Sequence, residues 1–206
     1  MMRALLQPDV QEYLEAHAAT SLATFILKGS PFQEITVQEL AQQLDGKRRI
    51  KTKLPLWHQT KGILFPPKVN LEQTSSETTA QYKAQLLRGN TLIDITGGLG
   101  VDSYYFSKVM TQVTHVEMHE EVSAFAKANL ATLAVSNVTC ITSNAIDFLA
   151  STAETYDVMY VDPGRRTDAK GKVFMLKDCL SNVLHPTTIL LYKYTRSTMK
   201  QTTFYK

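Results

Sequence analysis

The chain has few cysteines, the residues that build disulfide frameworks and many metal sites. Its 206 residues include two cysteines, Cys140 and Cys179, and these form no metal or redox spacing. No apolar run approaches the about 20 residues of a membrane span. The stretch before Pro8 is too short and too polar for a secretory signal. We expect no metal, no membrane contact and a cytoplasmic location.

Excess charge of one sign is also scarce. The formal net charge is +3 at pH 7, so the distribution of charge matters more than its total. A hydrophobic content of 44% and a charged content of 20% are ordinary for a globular protein, and a chain of this length can bury one substantial core. The sequence predicts a helical N-terminal region with a basic linker over residues 1–70. In this region Thr36 is predicted to cap a helix over residues 37–44, with Glu39 completing a capping box, and Asp45-Gly46 is expected to close that helix. An α/β domain follows over residues 71–206.

The strongest functional pattern is T-L-I-D-I-T-G-G-L-G-V-D, which starts at Thr91. A short apolar strand runs into a glycine-rich turn and then a helix, so the backbone can approach a ligand closely and offer free N–H groups. The dinucleotide fingerprint G-x-G-x-x-G is incomplete, because Ser103 takes the place of its third glycine. Asp94 at the strand end can hold an ammonium group and would repel a pyrophosphate. The turn therefore favours a ligand with an amino-acid end over NAD.

Further strands follow at regular intervals. The pattern predicts strands at 113–117, 138–142, 156–161 and 188–193, which favours an α/β domain with a parallel sheet. Glu117 ends the second strand about 20 residues after Asp94, which is the distance at which an acidic strand end meets a ribose in such folds. We expect Glu117 to bind both hydroxyl groups of a ribose.

The fourth strand runs into D-P-G-R-R, from Asp162 to Arg166. The carboxyl end of a central strand is where ligands bind in an open α/β sheet, so we expect Asp162 to orient or deprotonate an acceptor, with Pro163 in the same turn. Arg165 and Arg166 have two interpretations. Their forked donors can clamp phosphates, or they form a salt-bridged turn with nearby acidic residues.

Residues 46–68 are rich in basic residues and contain no acid. Basic side chains interleaved with aromatic ones can follow a phosphate backbone and stack unpaired bases. The candidate nucleic-acid-binding residues are Lys47, Arg48, Arg49, Lys51, Lys53 and Trp57. The alternative is a solvated basic loop whose Trp57 is buried against the helices.

Five segments together resemble a known family: K-T-K-L-P-L-W, F-P-P-K-V-N-L-E-Q-T-S-S-E-T-T-A-Q-Y-K-A, D-I-T-G-G-L-G-V-D, V-E-M-H-E and D-P-G-R-R. They are similar to the bacterial class I S-adenosylmethionine-dependent methyltransferases that carry a C-terminal THUMP-like domain. The resemblance covers about residues 25–195. It implies a Rossmann-like parallel sheet with strand order 3-2-1-4-5 and helices on both faces, S-adenosylmethionine as cofactor and RNA as substrate. The cofactor-binding residues that follow are Glu77, Asp94, Thr96, Gly97, Gly98, Gly100, Asp102, Glu117, Met118, Asn144, Ala145 and Asp162. Among them, Glu77 belongs to a helix expected to close over the methionine part, and Asn144 is expected to accept from the adenine amine.

The resemblance stops before the C-terminal end. The family continues with further strands and the THUMP-like domain, whereas this sequence stops at Lys206. We expect a C-terminally truncated form whose closing strands are missing, so that the fifth strand is an exposed apolar edge open to self-association. The leading function is methyl transfer from S-adenosylmethionine to RNA. The alternative is a catalytically inactive fragment or a module that binds nucleic acid or cofactor.

Overall fold

The computed structural model describes residues 2–162, 184–192 and 200–203, the last two ranges as backbone strands. The helices are α1 (Met2–Leu5), α2 (Pro8–Ala16), α3 (Leu22–Leu27), α4 (Val37–Ile50), α5 (Pro55–Gln59), α6 (Lys68–Gln73), α7 (Glu77–Gln85), α8 (Val101–Phe106), α9 (Glu120–Thr132) and α10 (Ala145–Ser151). The strands are β1 (Thr91–Asp94), β2 (Gln112–Glu117), β3 (Val138–Thr142), β4 (Tyr156–Val161), β5 (Leu184–Tyr192) and β6 (Lys200–Thr203).

These strands form one sheet in the order β3-β2-β1-β4-β5-β6. The first five strands pair in parallel, which confirms the predicted order 3-2-1-4-5. The prediction of a bare outer edge on the fifth strand is wrong, because β6 pairs antiparallel with Ile189–Tyr192 of β5. The segment K-Q-T-T carries no apolar alternation, so its sequence did not mark a strand. Self-association through this edge stays a prediction.

Alternate residues of the sheet enter two separate apolar clusters. Leu92 and Val158 face a cluster that also contains Phe106 of α8 and Phe125 of α9. Ile93, one residue along β1, faces the second cluster, which includes residues of β4 and α10. This two-residue period is that of a strand covered on both faces. The apolar run in β1 therefore follows from burial on both sides of a central strand.

The helical N-terminal region packs on the first of these faces. One cluster of buried apolar side chains extends from Leu5 to Tyr160 and includes residues of both predicted regions. The side-chain amide of Asn129 in α9 makes two hydrogen bonds to the backbone of Leu64, each 2.8 Å long. The N-terminal helices thus share their core with the domain that carries the sheet. None of the described helices is long and apolar enough to cross a membrane.

Helix α4 begins where the sequence predicts and ends later. The side chain of Thr36 accepts from Glu39 N, and Glu39 bonds back to Thr36 N, which completes the predicted capping box. The expected end at Gly46 is wrong, since the helix continues to Ile50. A Cβ on Gly46 would lie 2.3 Å from Phe65 Cβ. The glycine is therefore required for close packing of the helix and does not terminate it.

Candidate active site

The glycine turn lies between β1 and α8 at the carboxyl edge of the sheet. Gly98 and Gly100 have φ values of +53° and +81°, a backbone region that residues other than glycine rarely adopt. A Cβ on Gly97 would lie 2.4 Å from Nε2 of His115, so the absence of a side chain lets the His115 ring pack beneath the turn. Nε2 of His115 lies 3.2 Å from the Gly98 carbonyl oxygen. Close packing and left-handed backbone together explain the three glycines.

Asp94 is buried below this turn, with 1% of its surface exposed. Its Oδ1 accepts the Thr96 N–H at 3.1 Å, and its Oδ2 accepts the Ser103 hydroxyl at 2.8 Å. Burial raises the pKa of Asp94 to about 6. Ser103, which replaces the third glycine of the dinucleotide pattern, therefore anchors the acid. Both oxygens of Asp94 accept hydrogen bonds within the turn, and its expected contact with an ammonium group stays a prediction.

Glu117 at the end of β2 is joined to the same turn. Its Oε2 accepts the Gly98 N–H at 2.9 Å, and its Oε1 accepts the His119 N–H at 2.8 Å. The side chain of the neighbouring Met118 is well exposed, at 60%. The structure therefore brings Glu117 and the glycine turn together at one edge, as the spacing in the sequence suggests.

The turn after β4 is linked to the turn after β1 through the Thr96 hydroxyl group. The Asp162 N–H donates to Thr96 Oγ1 at 2.8 Å, and this oxygen lies 3.4 Å from Asp94 Oδ1. Asp162 and the glycine turn are thus neighbours. The remaining predicted residues of the D-P-G-R-R turn, Pro163, Arg165 and Arg166, lie outside the described residues, and their roles stay predictions.

A buried lysine that the sequence analysis missed occupies the space beside Asp162. Lys83 in α7 is 2% exposed, and its Nζ lies 2.9 Å from Asp102 Oδ2 and 3.3 Å from Asp162 Oδ2. The ammonium also donates to Ser75 Oγ at 2.7 Å and to the hydroxyl oxygen of Tyr160. Oδ1 of Asp102 is buried and lacks a hydrogen-bond partner within the described part of the chain. We call these five residues the Lys83 cluster.

Two predicted cofactor residues use their side chains in helix contacts. Asn144 caps α10, because its Oδ1 accepts the Ile146 N–H at 2.9 Å; Ala145 is the first residue of that helix. Glu77 begins α7, and its Oε2 accepts the Leu56 N–H of α5 at 2.9 Å. The Glu77 carboxylate therefore joins two helices, and the cap of α7 is Ser76. A cofactor would have to share these oxygens with the backbone.

The basic stretch comprises the end of α4, the short helix α5 and the segment that leads to α6. Trp57 in α5 is fully buried, which contradicts the prediction that its ring stacks a base. Arg48 donates to the carbonyl oxygens of Ala18 and Thr20, which follow α2, and Lys53 donates to the Leu71 carbonyl at 2.7 Å. These two cations stabilise the N-terminal helices.

The other basic candidates are more accessible. Lys51 is exposed and Lys47 is half-buried. Arg49 is exposed and pairs with Asp45 one turn earlier, with Nε 2.5 Å from Oδ2. These three side chains form the part of the predicted nucleic-acid surface that the fold leaves accessible. Among the described residues no group of His, Cys, Asp and Glu side chains is arranged to hold a metal ion.

The chain was compared with known proteins to find similar sequences and folds. No protein-family model matches the chain. Over 68 residues it is 35% identical to Ribosomal RNA small subunit methyltransferase D of Escherichia coli (strain K12), which is 33% of this chain and 33% of that protein. The same protein of Escherichia coli O6:H1 matches with the same identity and coverage.

The crystal structure of a putative methyltransferase from Porphyromonas gingivalis W83 is similar over most of the chain. The TM-score is 0.76 at 24% identity, and the match covers 92% of this chain and 48% of that one. This chain thus spans about half the length of the solved structure, 48%, and a third of the curated relatives, 33%. At this identity the likeness concerns the fold. The chain therefore has the Rossmann-like α/β fold of a class I methyltransferase, preceded by a helical N-terminal region.

Proposed function

We propose that this protein transfers a methyl group from S-adenosylmethionine to RNA. The observation that carries the proposal is the direct link between the glycine turn and the acid after β4, through the Asp162 N–H and Thr96 Oγ1 at 2.8 Å. A cofactor on the turn and an acceptor beside Asp162 would therefore be neighbours. Methyl transfer depends chiefly on such positioning of the two reactants.

The residues at the sheet edge fit S-adenosylmethionine. A Cβ built on Gly98 would meet only the Thr96 carbonyl oxygen, at 3.8 Å, within 4 Å, so the turn has room for a ligand against its backbone. The Glu117 carboxylate lies at the strand end that usually binds a ribose in this kind of fold. Buried Asp102 Oδ1, with no partner among the described residues, suits a cationic group such as an ammonium. The cofactor would supply the methyl group on its sulfonium.

RNA is proposed as the acceptor on two grounds. The 68-residue match is to a protein named for methylation of small-subunit ribosomal RNA. The accessible cations at the end of α4, including Lys51, are of the type that contacts phosphates. The resemblance to the THUMP-like-domain family and a cytoplasmic location belong to the same proposal.

Isothermal titration calorimetry tests the cofactor. We expect binding of S-adenosylmethionine and of S-adenosylhomocysteine, and none of NAD. Gly98→Ala should weaken both by tenfold or more, a loss of about 1.4 kcal/mol, because the new methyl group enters the open side of the turn. Gly29→Ala is the matched control, since Gly29 also has a positive φ of +74° and no atom within 4 Å, and lies in the N-terminal region. Tight NAD binding without an S-adenosylmethionine signal would exclude the proposed function.

Transfer of tritiated methyl groups to small-subunit ribosomal RNA transcribed in vitro tests the acceptor. Incorporation should depend on Asp162, so Asp162→Asn should lower it while leaving S-adenosylhomocysteine binding largely intact. If methyl groups are incorporated into protein in a mixed extract and none into RNA, the acceptor is protein and not RNA, while S-adenosylmethionine stands as the cofactor.

A further inference from the structure

We propose that Lys83 is a positioning residue, which acts through the hydroxyl group of Tyr160 to fix the Asp162 carboxylate beside the glycine turn. The inference rests on the proposed function, because it names what orients the acid of that site. Lys83 lies far from Asp162 in sequence, in the helix before the first strand. The fold brings the two side chains together at the carboxyl edge of the sheet.

The ammonium group of Lys83 has three N–H donors, and its shortest contacts use all of them. These are Ser75 Oγ at 2.7 Å, Asp102 Oδ2 at 2.9 Å and the hydroxyl oxygen of Tyr160. Asp162 Oδ2 is more distant, at 3.3 Å. Lys83 thus reaches Asp162 by charge attraction and, more directly, through Tyr160.

The Tyr160 hydroxyl group connects Lys83 to Asp162. Its oxygen accepts from Lys83, so its own O–H is left to donate, and Asp162 Oδ2 lies 3.1 Å away. The alternative acceptor, Asp102 Oδ2, is 3.3 Å away and already accepts from Lys83 and Ser75. Burial, and then the adjacent carboxylates of Asp102 and Asp162, raise the pKa of Tyr160. The phenol therefore keeps its proton and remains a donor at neutral pH.

A buried lysine is costly unless its charge is compensated. In the Lys83 cluster one cation lies between two carboxylates, and the ammonium is also 4.9 Å from the centre of the Tyr160 ring. A single ion pair with Asp102 would compensate the charge without Tyr160. The additional contacts extend from this pair to the strand end at Asp162, which is where a reacting group has to be held rigidly.

The test compares two ligands that differ at the position of the transferred methyl group. S-adenosylhomocysteine carries no charge there, whereas sinefungin has an amine-bearing carbon in place of the methylated sulfonium. Calorimetry gives the ratio of their dissociation constants for each variant. Tyr160→Phe removes the hydroxyl link and leaves the Lys83–Asp102 pair in place. We expect sinefungin affinity to fall about three- to tenfold relative to S-adenosylhomocysteine, the effect of about one net hydrogen bond.

Tyr156→Phe is the matched control. Tyr156 is buried at the other end of β4, and its hydroxyl donates to Glu154 Oε2 at 2.7 Å, so the same atom is deleted away from the site. Its affinity ratio should equal that of the wild type. Lys83→Met should change the ratio as Tyr160→Phe does; if Lys83→Met does not fold, Tyr160→Phe decides.

The outcomes distinguish a failure of the inference about Lys83 from a failure of the proposed function. A ratio that Tyr160→Phe leaves unchanged, or an equal loss for both ligands, would assign the Lys83 cluster a purely structural role and overturn the inference, while the proposed function stands. Failure of the wild type to bind either ligand would overturn the proposed function and the inference with it.

Discussion

The Thr96 hydroxyl accepts the Asp162 N–H at 2.8 Å and thereby joins the ends of β1 and β4. A glycine at position 96 would have no group that could make this bond. The bond makes the position of Asp162 depend on the glycine turn. Ligand binding at the turn and the orientation of the acid are therefore expected to be coupled.

Replacement of Thr96 by Val tests this coupling. The shape is kept and the hydroxyl is lost, so the Asp162 N–H loses its acceptor, which costs about 1–3 kcal/mol where water does not replace it. We expect a lower free energy of unfolding in urea and weaker binding of S-adenosylhomocysteine. Thr139→Val on β3 is the control, since Thr139 is exposed and accepts from Gln112 at 2.9 Å. Equal behaviour of the two variants would show that the link contributes nothing.

The buried carboxyl group of Asp94 predicts a pH dependence of stability. Burial raises its pKa in the folded state from 3.8 to about 6. Between these values the folded state binds a proton that the unfolded state has released, so the free energy of unfolding falls as the pH rises from about 4 to about 6. Asp94→Asn should remove this fall, as measured by urea unfolding at several pH values. Asp147→Asn, at an exposed position of α10, should leave it unchanged.

Much of the sheet was predictable, because each parallel strand is marked by a short local run of apolar and β-branched residues. The runs V-T-C-I-T and Y-D-V-M-Y-V gave the bounds of β3 and β4 to the residue, and the family resemblance implied the order of the first five strands. The Lys83 cluster was not predictable in this way. The hydrogen bonds from Lys83 to Tyr160 and Asp162 span 77 and 79 residues, and one lysine in a short helix carries no local sign of such partners.

The basic residues near α4 should separate into two classes on mutation. Arg48→Ala removes donors from the carbonyl oxygens of Ala18 and Thr20, so we expect a loss of about 1–3 kcal/mol in unfolding free energy, as for bonds to charged groups. Lys51→Ala, at an exposed position, should leave stability nearly unchanged. It should lower the slope of log affinity for RNA against log salt by about 1.

This comparison also has an outcome against RNA. A salt slope that Lys51→Ala leaves unchanged, with Lys47→Ala giving the same result, would show that this surface is solvated and contacts no phosphate. If Lys51→Ala lowers the free energy of unfolding, the Lys51 side chain stabilises the fold instead.

Trp57 should behave as a core residue. Its side chain is fully buried, so Trp57→Ala should lower the free energy of unfolding by about 3–5 kcal/mol. Trp57→Leu keeps much of the apolar volume and lacks an aromatic face, and it should be folded with RNA affinity equal to that of the wild type. A folded Trp57→Leu protein with clearly weaker RNA binding would restore the stacking interpretation.

Aromatic residues inside basic stretches are ambiguous in sequence for a physical reason. The apolar surface that stacks a base is the same surface that fills a core, and only the position of the other elements decides between the two. In this fold α5 turns Trp57 into the shared core, while exposed Lys51 stays at the surface. Gly46 was ambiguous in the same way, since a glycine can end a helix or admit a close neighbour.

Gly46→Ala decides between those two roles. In an open helix interior, alanine would be more stable than glycine by about 1 kcal/mol. Here its Cβ would lie 2.3 Å from Phe65 Cβ, and Phe65 cannot easily retreat. Its backbone is held to the Gln43 side chain by bonds of 2.8 and 3.0 Å, and Gln42 donates to its carbonyl oxygen at 2.9 Å.

We therefore expect Gly46→Ala to destabilise the protein by about 2 kcal/mol, within the range for overpacked sites, as measured by urea unfolding. Phe65→Gly provides the control, because it deletes the atoms that the new methyl group would meet. In a double-mutant cycle the cost of Gly46→Ala should shrink or change sign in the Phe65→Gly background. If alanine at position 46 stabilises the protein in both backgrounds, the close approach of α4 to Phe65 does not explain the glycine.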